Sequence, residues 1–170
     1  MKKVIILIFS FLLIGGFVNA QKYAIIDTRY ILEKLPAYKE AQKQLDDIAA
    51  GWQKDIDQQQ SELNNMYKNY EAEQVMLTDE LKKKREDQLF NKEKDLRDLQ
   101  RKRFGFEGDL FKKRQELIKP IQDKVYNAVQ KISVARGYDF VLDKSEGITI
   151  IFADPKLDKS EDVLKELGIR

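Results

Sequence analysis

The chain has no cysteine and no histidine, and only three prolines and one tryptophan in 170 residues. Without cysteine no disulfide can form, so packing must hold the fold. Such a chain suits an oxidising export compartment, for example a bacterial periplasm. Without either residue, metal ligation by soft ligands and the common nucleophile–base pairs are excluded. There is no Gly-rich phosphate loop and no small-residue elbow around a serine, so the sequence points to neither an enzyme nor a cofactor. Carboxylate pairs remain, such as Asp46 with Asp47, Asp55 with Asp57 and Glu71 with Glu73. They lie on stretches that read as solvated helix, where nothing desolvates them for acid–base work.

Proline is the most telling absence. The 83 residues between Pro36 and Pro120 contain none, and they are dense in Lys, Glu, Asp, Gln and Leu. Only Gly51, Gly105 and Gly108 interrupt them. Apolar residues recur every three or four positions, which predicts long helix of the coiled-coil kind. After Pro36 the apolar seam runs Tyr38, Ala41, Leu45, Ile48, Trp52, Ile56, Leu63, Tyr70 and Leu77. It passes through Gln59 or Gln60, a stutter that weakens packing there. Thr78 can cap a new helix whose first turn holds Asp79 and Glu80, so the tip of a hairpin is expected near 77–79. The second helix is expected to carry Leu81, Leu89, Leu96, Leu99, Phe106, Leu110, Leu117, Ile121, Val125, Ala128 and Ile132 as far as Gly137. Folding back near 78 sets Pro36 beside Pro120 and Trp52 opposite Gly105. Either the indole fills a notch at Gly105–Gly108, or the glycines mark a flexible point. Each limb of about 40 residues would be about 60 Å long.

The ends differ from the middle. Lys2 and Lys3, an apolar stretch from Val4 to Val18 and the small-x-small ending at Ala20 read as a signal peptide cleaved after Ala20. Fifteen residues are short for a bilayer span of about 20. Removing residues 1–20 takes away two lysines and no acid, which leaves a formally neutral chain of 150 residues. Overall charge therefore gives no reason to expect a nucleic-acid partner. Tyr23 to Ile26 is expected as a strand, with Asp27 capping the helical turn that follows. Tyr138 to Leu142 and Ile148 to Ala153 read as two strands of a hairpin around Asp143–Gly147. A short terminal helix follows, with Ser160 as its expected N-cap and Gly168 as its stop. Three short strands and one helix make too small a core to stand alone, which points to oligomerisation. The predicted fold is thus α+β and mostly α: a long antiparallel coiled-coil hairpin, 37–119, projecting from a small β-rich body, 21–36 plus 120–170, whose strands are shared between protomers.

In this order, YAIIDTRYILEKLPAYKEAQKQL, KPIQDKVYNAVQKISVARGYDFVLDKS and IIFADPKLDKSEDVLKEL, with a charged hairpin between the first two, resemble the Skp/OmpH family of periplasmic chaperones of outer-membrane proteins. The resemblance covers nearly the whole chain after residue 20. It implies a homotrimer with a small shared barrel, and three arms around a cavity that holds unfolded outer-membrane β-barrel proteins without ATP. The chain departs from the family in its neutral charge, and in Lys159 where the family often has an apolar residue.

Apolar side chains off the seam are the candidate client-binding residues: Met66, Tyr67, Met76, Phe90, Phe104 and Phe111. Such flexible or polarizable groups contact many sequences without selecting one. The competing reading is that some of them widen the core of the arm or pack against a neighbouring arm. Ile25, Phe140, Leu142, Ile150 and Phe152 are the candidates for the shared body. Basic clusters at Lys82–Arg85, Arg101–Arg103 and Lys112–Arg114 wrap their helix as collars. They read as solvated surface or as contacts for acidic clients, lipopolysaccharide or anionic lipid. A structural spacer of the cell envelope is the other functional reading left open.

Overall fold

The computed structural model describes residues 21–145, 147 and 150–169. The expected signal peptide lies outside them, as do Ile148 and Thr149 of the expected strand. Strand β1 (Tyr23–Ile26) leads through Asp27 into helix α1 (Thr28–Lys34). Helix α2 (Pro36–Glu73) runs out, α3 (Asp79–Phe104) and α4 (Asp109–Arg136) return, and β2 (Phe140–Asp143) follows. A 3₁₀ turn (Pro155–Leu157) and helix α5 (Ser160–Glu166) close the chain.

Local chemistry explains most of these boundaries. Asp27 accepts a hydrogen bond from the Tyr30 amide at 2.9 Å and caps α1. Pro36 opens α2, where the missing N–H costs nothing. Thr78 accepts from the Leu81 amide and caps α3. Gly137 ends α4 in the left-handed region, with φ of 65°. The end of the chain differs from expectation. Ser160 does not cap α5; Lys159 holds that position without a side-chain cap. The Ser160 hydroxyl instead accepts from the Asp27 amide at 2.9 Å, which ties the last helix to the end of β1.

The sheet also departs from the expected hairpin. β1 and β2 pair in parallel, with Tyr23 opposite Phe140 and Ile26 opposite Asp143. Parallel neighbours need a long crossover, and here the entire helical arm supplies it: the chain leaves after β1, returns, and enters β2 in the same sense. Residues 150–153 form no strand, so Phe152 has no ladder partner among the described residues. A lone parallel bridge joins Ile25 to Asp158, and the Ile25 carbonyl accepts from the Lys159 amide at 2.8 Å.

Two separate cores follow from this path. The larger joins Ile26, Ile31 and Leu35 to Ala41 and Leu45 at the root of α2, to Ile118, Ile121, Val125, Ala128 and Ile132 of α4, and to Val163 and Leu164 of α5. Ile31 and Val163 are fully enclosed. The smaller core lies in the arm and consists of Ile56, Leu63, Leu89 and Leu96.

A polar network locks β2 onto α1. The Asp143 carboxylate accepts from the Thr28 amide at 3.1 Å, from the Thr28 hydroxyl at 2.5 Å and from the Ser145 amide at 2.9 Å. Burial pushes the Asp143 carboxyl up, but the hydrogen bonds from Thr28 and Ser145 outweigh it and hold the group below its ordinary value. Asp158 behaves alike, with burial outweighed by hydrogen bonds from Lys144 and Ser160. The Arg136 guanidinium, 2.6 Å away, lowers Asp162. A carboxyl depressed in the folded state adds stability above its unfolded value, and that stability is lost as pH falls through the folded one. Folding stability measured by denaturant titration should therefore be level above about pH 5 and fall below about pH 4. In Asp143→Asn the acid slope should be shallower; an unchanged slope would remove Asp143 from this account.

Candidate functional site

The arm is an antiparallel pair in which α2 faces α3. Its register is fixed by cross-helix contacts: Tyr70 donates to Glu86 at 2.5 Å, Tyr67 to Glu93 at 3.3 Å and Lys92 to Glu62 at 3.1 Å, while Trp52 meets Phe104 edge-on with ring centroids 6.3 Å apart. The chain turns over at 74–78. The hydrogen bond to Glu86, with burial and the negative charge of Glu86, raises the Tyr70 phenol. The hydrogen bond from Lys92 lowers the Glu62 carboxyl. These are solvated surface pairs screened by salt, so each steadies the register only weakly.

Between the buried Ile56 and Leu63 the seam carries polar Gln59, and beside it the helices leave a cleft of about 510 Å³ lined by Trp52, Asp55, Gln58, Gln59, Glu62, Lys92, Leu99 and Arg103. Gln59, where the stutter was expected, thus lines an open cleft beside the arm core, between buried Ile56 and Leu63. At its lower edge the returning limb breaks. α3 ends at Gly105 and α4 starts after Gly108, where a single continuous helix was expected. The Gly108 amide donates to the Gly105 carbonyl at 2.9 Å and closes a tight turn, with Glu107 held at φ of 53°. A left-handed glutamate costs about 1–3 kcal/mol, so its surroundings must impose the turn. Both glycines are required by space: a Cβ on Gly105 would lie 2.3 Å from the Arg101 carbonyl oxygen, and one on Gly108 2.8 Å from that of Lys102.

Trp52 anchors this break from the opposite helix. The Arg103 guanidinium lies 4.6 Å from the centre of the Trp52 ring and forms an ion pair with Asp109 at 2.7 Å, so one side chain joins α2, α3 and α4. The indole therefore meets Phe104 and Arg103 at the end of α3.

The six candidate contact residues do not form a pocket; they are strung along the arm. Met66 is half-buried against the arm core. Tyr67 is partly exposed, and its hydroxyl is engaged by Glu93. Met76 stands out at the turn with 79 % of its surface exposed, and Phe90 points away from neighbouring buried Leu89 with 61 % exposed. Phe104 and Phe111 flank the break and are 39 % and 47 % exposed. On the arm, three further exposed apolar residues were missed. Val75 lies at the turn and Leu81 is half-exposed just beyond it. Phe106, expected on the seam, is 97 % exposed because the glycine turn carries it outward. The glycines on either side of Phe106 were the available signal.

In the body, Ile25 is buried by its own chain, Phe140 stacks on Tyr23 with centroids 5.7 Å apart, and Leu142 and Ile150 are half-buried. Phe152 and Ile151 project almost completely. Beside β2 lies a groove of about 510 Å³ lined by Ile26, Leu32, Val125, Tyr126, Val129 and Val141 among others. Among the described residues there is no cluster of three or more acidic side chains placed to hold a metal ion, and no helix long and apolar enough to cross a membrane.

If Arg103 holds the break shut, Arg103→Ala should speed chymotrypsin cleavage after Phe104 and Phe106 about two- to fivefold, the equivalent of a cation–π contact of about 0.5–1 kcal/mol. An unchanged cleavage rate would show that the glycine turn needs no anchor.

Comparison with known proteins places this geometry. The family described as "Outer membrane protein (OmpH-like)" matches residues 22–167. The chain is 25 % identical over 150 residues to "Chaperone protein Skp" of Yersinia enterocolitica, covering 88 % of each. Its fold is similar to the crystal structure of a Caulobacter crescentus CB15 protein described as OmpH-like, with a TM-score of 0.70 at 14 % identity, over 87 % of this chain and 84 % of that one. A match from residue 22 to residue 167 spans both strands, both limbs of the arm and the whole of the last helix, and the chain belongs to the OmpH-like family.

Proposed function

We propose that the protein is an ATP-independent holdase of the periplasm that keeps unfolded outer-membrane β-barrel proteins from aggregating. The observation that carries this reading is the row of large apolar side chains on the arm that its own core leaves unburied: Met76, Phe90, Phe104 and Phe111, with Tyr67 partly so. A solvated helix has no need of them, and each exposed ring is a weak, unselective contact for an unfolded chain. The Skp relative and the family point the same way.

In this reading the body, 21–36 with 120–170, joins three copies, and the arms, 37–119, enclose the client. Strand sharing is supported by a two-stranded sheet that leaves an edge of β2 open among the described residues, and by the exposed Ile151 and Phe152. Unsatisfied strand edges and apolar patches of this kind are the raw material of subunit contacts. Ile25 supports β1 from within its own chain, and Phe140, Leu142, Ile150 and Phe152 are the candidates at the subunit contact. Release needs no nucleotide, because many weak contacts let go singly.

The test is Phe90→Ser, Phe104→Ser and Phe111→Ser combined. About half a kilocalorie from each ring predicts roughly tenfold more protein for the same suppression of aggregation of a diluted, urea-unfolded barrel protein, with the oligomer mass unchanged. Undiminished suppression would remove these rings from the holding surface.

A further inference from the structure

The break between α3 and α4 carries features that holding a chain by unselective apolar contact does not explain. Phe106 is 97 % exposed, yet it does not sit on a loose loop. It is presented by a closed turn whose two glycines have no room for a side chain and whose flanks are tied together by Arg103 and Asp109. Phe104 and Phe111, both partly exposed, lie within five residues of it.

The charge around these rings is one-sided. Residues 101–114 contain six cations and two acids, and one of those acids, Asp109, is paired with Arg103. Arg101, Lys102 and Arg103 close α3, where the helix dipole favours cations. Lys112, Lys113 and Arg114 do not have that explanation: they stand in the first two turns of α4, the end at which the dipole disfavours positive charge. Lys102, Lys112 and Arg114 make no ion pair among the described residues. The acids at this level, Asp46, Asp47, Asp55 and Asp57, lie on α2, and none pairs with the cations of 101–114. The turn at the end of the arm is the contrast: it exposes Val75 and Met76, but residues 71–87 hold six acids against four cations.

We infer that this break is a capture site for segments of unfolded polypeptide in which carboxylates flank aromatic or aliphatic side chains. The inference rests on the holdase reading and names the segments that such a holdase selects. The rings supply apolar contact, and the unpaired cations meet the flanking carboxylates. The charge pairs are solvated, so they direct choice and encounter more than they add affinity, and salt screens them. The acidic face of α2 on a second copy is the other surface of suitable charge. Its apolar residues at this level are turned inward or half-covered, with Ile56 buried and Trp52 occupied by Arg103, so it offers no seat for Phe106.

Two labelled, disordered peptides test the inference by fluorescence anisotropy on the protein lacking residues 1–20. One has phenylalanines set among glutamates, and its twin has lysines in place of the glutamates. The expected result is about tenfold tighter binding of the acidic peptide in low salt, with the gap closing at about 0.5 M salt. Phe106→Ser should weaken the acidic peptide, and Lys112→Glu with Arg114→Glu should abolish or invert the preference; Met76→Ser, at the turn, should leave it unchanged. Equal binding of the twins, or a preference that survives the charge reversal, overturns the inference, as does a reversal that alters only the mass of the oligomer. Suppression of barrel-protein aggregation by the unsubstituted protein, measured alongside, separates the two readings: if it persists while the peptide preference is absent, the capture site fails and the holdase stands.

Discussion

A helix in a two-helix hairpin has one partner, and so it can bury one stripe. That geometric limit governs the arm. Beyond its root, where Ala41, Leu45 and Ile118 join the larger cluster, only Ile56, Leu63, Leu89 and Leu96 of its many apolar residues are buried as a continuous core, with Met66, Tyr70 and Leu99 at the margin. A third helix would cover Phe90 and Phe111; without one they face water. Each exposed ring forgoes the roughly 1.5–3 kcal/mol that full burial of such a side chain can bring. The arm tolerates this because its register does not depend on apolar area alone: tyrosine–carboxylate hydrogen bonds, the Glu62–Lys92 pair and the Trp52–Arg103 stack hold the limbs in place. Such fixings leave the outer surface free for contact.

The same limit explains the body. An arm with so thin a core needs a firm root, and α2 and α4 obtain it by running into the larger cluster, where Ala41 and Leu45 meet Ile118, Ile121 and Val125. The two parallel strands and the last helix are clasped around that root by Asp143, Ser160 and the Lys144–Asp158 pair. Leaving and re-entry of the chain are thus fixed at one place, while among the described residues the tip is held by its own hairpin.

Much of this was legible in the residues because it depends on local or periodic signals. The caps at Asp27 and Thr78, the stop at Gly137 and the limb pairing that sets Trp52 near residue 104 each follow from a single residue's chemistry or from a repeat. What failed depended on distant partners. Tyr138 to Leu142 and Ile148 to Ala153 have the composition of a hairpin, yet β2 pairs with β1 more than a hundred residues away, a choice no local pattern records. Ser160 has the residue type of an N-cap, but its hydroxyl serves Asp27 across the body. Phe106 fell on the seam by counting. A turn that inserts residues between two helices shifts the count, and only the flanking glycines hinted at it. For the contact surface, sequence could say that some rings exceed what the seam can bury. It could not say that Met66 is half-covered while Phe106 is bare.

The central claim is that the exposed rings of the arm exist to hold an unfolded chain. The most direct measurement is light scattering after size exclusion, on the protein alone and after mixing with a urea-unfolded outer-membrane barrel protein diluted into buffer. The account predicts an oligomer of three chain masses that gains the mass of one client and keeps it soluble. An oligomer whose mass does not change while the client aggregates would contradict it.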